Sequence, residues 1–128
     1  MIKRLEYHKE VFAINDLQDD DLSLLKGSKN TWMHFLVERI DLLYIYAKYD
    51  DEDGSLLNYI VFAKNISIPI SSSIIILHIA NDLFVNELLE CADDLKVKSG
   101  AMEIIIETDK EEVFKQYGFT KALFIMKR

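Results

Sequence analysis

Residues 73–107 read SIIILHIANDLFVNELLECADDLKVKSGAMEIIIE, and the fold is decided there. Ser73–Ala80 is apolar on both faces, as a strand covered from above and below must be. Asn81 or Asp82 can cap the helix that follows. Phe84, Leu88, Cys91, Ala92 and Leu95 recur at helical spacing and make its buried stripe, with Val85 and Leu89 flanking. Lys96 and Lys98 suit the negative end of the helix dipole, and Gly100 stops the helix. Met102–Glu107 is a second apolar run. Strand, helix and strand at this spacing make a β-α-β unit, so the two strands are parallel and the crossover right-handed.

Downstream, Thr108 and Glu111 stand in capping-box spacing before a short helix. Val113, Phe114 and Tyr117 form its inner face and Gly118 ends it. Phe119–Lys127 runs back as a last strand. Upstream, Asn65–Ser72 is a connector, since Pro69 fits poorly in a central strand. Asp41–Tyr49 and Leu56–Lys64 are strands joined by the turn Asp53-Gly54. Tyr44 and Tyr46 share one face by the two-residue period, a place for packing beneath a helix. Asn30–Ile40 is a helix, capped by Asn30 or Thr31. It carries Trp32, Met33, Leu36, Val37 and Ile40 on one side and His34 as a packed or surface residue. Met1–Tyr7 is a short first strand. In His8–Leu25, Val11, Phe12, Ile14 and Leu17 suggest helical turns, Asp19–Asp21 sit at a helix start and Gly27 is a stop. The sum is an α/β chain, residues 1–128 as a single domain, with a mixed sheet and helices on both faces.

Composition narrows the function. Hydrophobic residues make up 50 % of the chain and charged ones 29 %, a globular balance. The net charge of −7 excludes nucleic acid and anionic membrane as the main partners, because both are held by clustered Lys and Arg. No apolar run reaches the ~20 residues of a membrane helix, so the expected location is the cytoplasm. Cys91 is the single cysteine. Without a neighbouring His or cation to lower its pKa it is a small core residue rather than a nucleophile. Asp50–Asp53 fails the calcium-loop pattern, since Tyr49 stands where an acid is needed and the late Glu is missing. No metal site is expected.

The run Lys110–Phe119, KEEVFKQYGF, followed by LFIMKR, resembles the end of a GCN5-related N-acetyltransferase (GNAT) domain. The element order fits throughout, with Ser73–Ala80 as the fourth strand and Met102–Glu107 as the fifth. The resemblance implies a mostly antiparallel sheet with one parallel β-α-β pair, whose two strands part in a V. It also implies acetyl-CoA as cofactor, its pantetheine along Leu77, His78 and Ile79 and its phosphates near Asn81, Asp82 and Leu83.

Two departures from the family pattern bear on activity. Such enzymes hold the pyrophosphate in a loop Gln/Arg-x-x-Gly-x-Gly/Ala, where glycines admit the phosphates to backbone N–H groups. Here the loop has no glycine, and no Lys or Arg occurs from Asn65 to Leu95. Asp82 would face the phosphates, and two like charges ~4 Å apart repel by roughly 4 kcal/mol at an effective dielectric near 20. Many members also place a general-acid tyrosine four residues before the glycine of Gly-Phe, and that position is Phe114. Glu103 and His78 are the titratable candidates for a base. Three readings stand. The first expectation is a catalytically degenerate GNAT-like module that binds another protein or itself, with no cofactor. Stripped chains of this kind occur among phage virion and assembly proteins. The second is an acyl-CoA-dependent N-acyltransferase with an atypical loop, using acetyl-CoA. The third is an unrelated α/β interaction domain.

Overall fold

The computed structural model describes residues 1–17, 29–67 and 71–121. Its elements are β1 (Ile2–Arg4), α1 (His8–Ala13), α2 (Lys29–Glu38), β2 (Tyr44–Tyr49), β3 (Leu56–Ser67), β4 (Ser71–Ile79), α3 (Val85–Ser99), β5 (Glu103–Ile106) and α4 (Glu111–Lys115). Single 3-10 turns follow α1 and α2, so Asp41 and Leu42 belong to a turn and not to the strand expected from Asp41. The sheet has the order β1-β2-β3-β4-β5. Every neighbouring pair is antiparallel except β4 and β5, which are parallel as the β-α-β pattern requires.

Two apolar layers cover the sheet. Val11 and Ile14 after β1, with Met33, Leu36 and Ile40 of the α2 region, pack on Ile45, Ala47, Tyr59 and Val61. On the other face Val85, Leu88, Leu89 and Ala92 of α3, with Phe114 of α4, cover Ile60, Phe62, Ile74, Ile76 and Ile79. The period of two in β2 and β3 sorts these residues between the layers. Tyr44 and Tyr46 lie on the α3 face as expected, each stacked on Phe62 at 5.5 and 5.7 Å between ring centres.

Four local expectations need correction. Asn65–Ser67 and Ser71–Ser72 are not a free connector, because β3 and β4 are paired out to Ser67 opposite Ser71. Backbone hydrogen bonds are indifferent to the polar side chains there, and Pro69 itself lies outside the described residues. The capping box at Thr108 does not form. Thr108 Oγ1 accepts from the Lys110 N–H at 3.0 Å, which makes a turn, and α4 starts after Lys110 without a side-chain cap. Neither Asn81 nor Asp82 caps α3, for a reason given below. Phe84 leaves the buried stripe and is 45 % exposed. Asp19–Asp21 and Gly27 lie outside the described residues, as does all of the strand expected over Phe119–Lys127 except Phe119–Lys121, which are not in a strand. His34 is a surface residue, paired with Glu38 at 3.0 Å.

Candidate binding site where β4 and β5 part

The register of β4 on β3 changes within one turn of the ladder. Ile79 faces Ile60 and His78 faces Val61, but Phe62 faces Ile76, so Leu77 is one residue too many. This is a β-bulge, which bends a strand and raises its twist. It puts Leu77 and His78 on the same face, Leu77 against the α2 layer. The His78 ring lies 5.0 Å from Trp32 and 5.2 Å from Tyr59. At the same place β4 stops pairing with β5. Their pairing runs from Ser73 opposite Glu103 to Ile76 opposite Ile106 and stops, while β4 continues to Ile79. Ala80 donates to the Tyr59 carbonyl at 3.2 Å. Alternation along an antiparallel ladder then points the Ile79 amide away from β3, into the gap left by β5.

The loop between β4 and α3 is tied down by two buried asparagines. Asn58, on β3, is 0 % exposed. Its Nδ2 donates to the carbonyls of Asn81 (3.0 Å) and Leu83 (2.6 Å), and its Oδ1 accepts from the N–H groups of Tyr59 (2.8 Å) and Asn81 (3.1 Å). Asn81 Nδ2 donates to the Leu57 carbonyl at 3.0 Å, and its Oδ1 accepts from the Leu83 N–H at 2.9 Å. Asn81 is thus committed to its own loop and is not free to cap α3. The N-cap is Phe84, left-handed at φ 54° and with no side-chain cap.

A cation does stand at this end of α3, although none occurs in the local sequence. Lys48 reaches over from β2, placing Nζ 2.7 Å from Glu87 Oε2 and 4.9 Å from the centre of the Phe84 ring. The hydrogen bond to Glu87 raises its pKa above the usual lysine value. Sequence reading missed both Lys48 and Asn58. The period of two already assigned Lys48 to the face of Tyr44 and Tyr46, so that signal was present. Asn58 gave none.

The candidate catalytic groups are not brought together. Phe114 is 2 % exposed, edge-on to Phe119 (5.5 Å) and Tyr117 (6.2 Å), so a core residue stands where the acid is expected. Glu103 pairs with Ser73, six residues from Ile79 and so about 20 Å along the strand. His78 is 4 % exposed. Among the described residues no group of three His, Cys, Asp or Glu stands close enough to hold a metal, and no helix is long and apolar enough to cross a membrane. Cys91 donates to the Glu87 carbonyl at 3.8 Å. Burial, then the charges of Asp94 and Glu90, push its thiol up to about 11 from the ordinary 9.0. Below pH 9.0 the folded protein should therefore hold about a hundredfold less thiolate than the unfolded chain. A disulfide reagent should label it slower by that order, and equal rates in the two states would refute the assignment.

A five-stranded mixed sheet, bulged in its fourth strand and parting from its fifth, between helix layers, is the GNAT fold. Solved structures agree. A probable acetyltransferase superposes with a TM-score of 0.76 at 16 % identity, over 100 % of this chain and 95 % of that one. The aminoglycoside antibiotic 6'-N-acetyltransferase AAC(6')-IG from Acinetobacter haemolyticus gives 0.74 at 10 %, over 100 % and 98 %. AAC(6')-Iy, in complex with the bisubstrate analogue CoA-S-monomethyl-acetylneamine, gives 0.68 at 13 %, over 100 % and 97 %. No family model and no curated protein matches the sequence.

Proposed function

We propose that this protein is a GNAT-fold domain that acts by binding another protein, or further copies of itself, and not by acetyl transfer. The observation that carries this is the asparagine clasp. A phosphate held at this loop needs backbone N–H groups turned outward, and a spare cation strengthens it. The N–H groups of Asn81 and Leu83 are spent on Asn58 and Asn81, and Lys48 is spent on Glu87. Asp82 adds an exposed negative charge beside them. These commitments weaken the loop as a holder of the acetyl-CoA pyrophosphate and leave only the uncapped first turn of α3 to it, and Phe114 offers no proton.

The second reading, an acyl-CoA-dependent N-acyltransferase with an atypical loop, is favoured by one feature. The bulge at Leu77 and the parting beyond Ile76 leave a backbone edge open to pantetheine, whatever holds the phosphates.

Calorimetric titration with acetyl-CoA separates the two. At low salt, where charge effects are largest, the expected result is no measurable binding by the native chain. The Asp82→Asn variant, which removes a like charge from the end of α3, should bind no better. A micromolar dissociation constant with turnover on an amine would overturn the first reading in favour of the second. Tightening in Asp82→Asn would place phosphates at this loop.

A further inference from the structure

Leu83 and Phe84 project from the clasped loop, 48 % and 45 % exposed. Phe84 holds φ 54°, and every other positive φ among the described residues belongs to a glycine. A bulky aromatic is out of place in that region of backbone space, where glycine fits without strain. Gly100 takes the equivalent conformation at the far end of α3. Neither burial nor backbone geometry explains a phenylalanine here, since the ring fills no core position and the backbone would be easier without it.

The surroundings are acidic. Tyr49 pairs with Leu56 and Lys48 with Asn58, so the hairpin tip Asp50–Asp53 extends past the row that carries Asn58 and Asn81. It lies at the same end of the sheet as the loop. Asp82 precedes Leu83, and Glu87 lies in the first turn of α3. Lys48 is matched by Glu87 and the Met1 amine by Asp51, which leaves Asp50, Glu52, Asp53 and Asp82 without a cation, the last three of them exposed.

An exposed aromatic next to an aliphatic side chain, with a net negative charge around the pair once Lys48 over the Phe84 ring is matched by Glu87, has the make-up of an interface anchor. We infer that Leu83 and Phe84 form a docking surface for a basic segment of a partner protein that carries an apolar residue. This rests on the binding-module reading above and narrows its partner. A second copy of this chain does not suit the surface, because a two-fold contact would bring the same acids face to face. A basic segment gains from them in both encounter rate and selectivity.

The test is fluorescence anisotropy of the intact protein with labelled short synthetic peptides. In one set, Lys or Arg flanks a single Leu, Ile or Phe; in a matched set, Asp or Glu replaces the basic residues. Members of the basic set should bind, more weakly as salt rises, and the acidic set should not. Phe84→Gly should weaken binding by about tenfold or more. Glycine relieves this backbone and gives up the Lys48 contact over the ring, two effects of similar size, so that variant should melt close to the native protein and loss of binding will not reflect loss of fold. Leu83→Ser supplies a second readout in the same direction. If no basic peptide binds, the surface is refuted. It is equally refuted if Phe84→Gly binds as well as the native chain, since general attraction to an acidic protein would then suffice. Acetyl-CoA turnover alongside peptide binding that depends on Phe84 would sink the non-catalytic reading and keep the surface. Absence of both activities would sink the surface alone.

Discussion

Asn58→Ala should lower stability by about 3–5 kcal/mol. The side chain is fully buried and serves two N–H groups and two carbonyls. Each buried group left without a partner costs about 1–3 kcal/mol, and water admitted to the cavity recovers part of the sum. The measurement is a urea transition with an unchanged slope and a lower midpoint. Asn58→Asp makes the argument specific. It keeps the oxygen that accepts both N–H groups, loses the donors and buries a charge, so its loss should be as large near neutrality and shrink as the carboxyl is protonated. A loss under about 1 kcal/mol in Asn58→Ala would mean that the clasp follows the loop's shape rather than setting it.

Phe114→Ala should cost a similar amount, about 3–5 kcal/mol, as the removal of a buried phenylalanine usually does. The ring closes the layer between α3, α4 and the sheet and meets Tyr117 and Phe119 edge-on. Phe114→Tyr is the informative companion. It restores a hydroxyl at the position where the family resemblance looks for an acid, at a cost of roughly 1–3 kcal/mol if that hydroxyl finds no partner. On the binding-module reading it should not create acetyl transfer, because the N–H groups of Asn81 and Leu83 and the Lys48 ammonium stay committed. Transfer activity in Phe114→Tyr and not in the native chain would show that one missing proton donor, and not the loop, silences the site.

The parts of the fold that follow from local periodicity were legible in the sequence. The β-α-β unit, the glycine stop at Gly100 and the shared face of Tyr44 and Tyr46 all depend on neighbours a few residues away. The site was less legible because it depends on register. Lys48 meets Glu87 across 39 positions and Asn58 meets Asn81 across 23, distances at which composition carries no signal. An asparagine that bridges two strands is written like one that faces water. Asn81 and Thr108 both looked like helix caps, and each turned instead to a nearer backbone group. Such local bonds compete with helix starts on nearly equal terms. The bulge at Leu77 was equally hidden, since an extra residue inside an unbroken apolar run changes no pattern.

That extra residue has a consequence for how the strand tolerates change in length. In a regular strand, removing one residue turns every later side chain to the opposite face. In β4 the alternation is already broken once, by Leu77. Removing Leu77 would restore a plain pleat and leave Ile76, His78 and Ile79 on the faces they now occupy. The bulge is thus a reserve of one position, through which this strand can absorb a shortening that most others in the sheet would register as inversion. What such a deletion would erase is the bend, which lies where β4 stops pairing with β5.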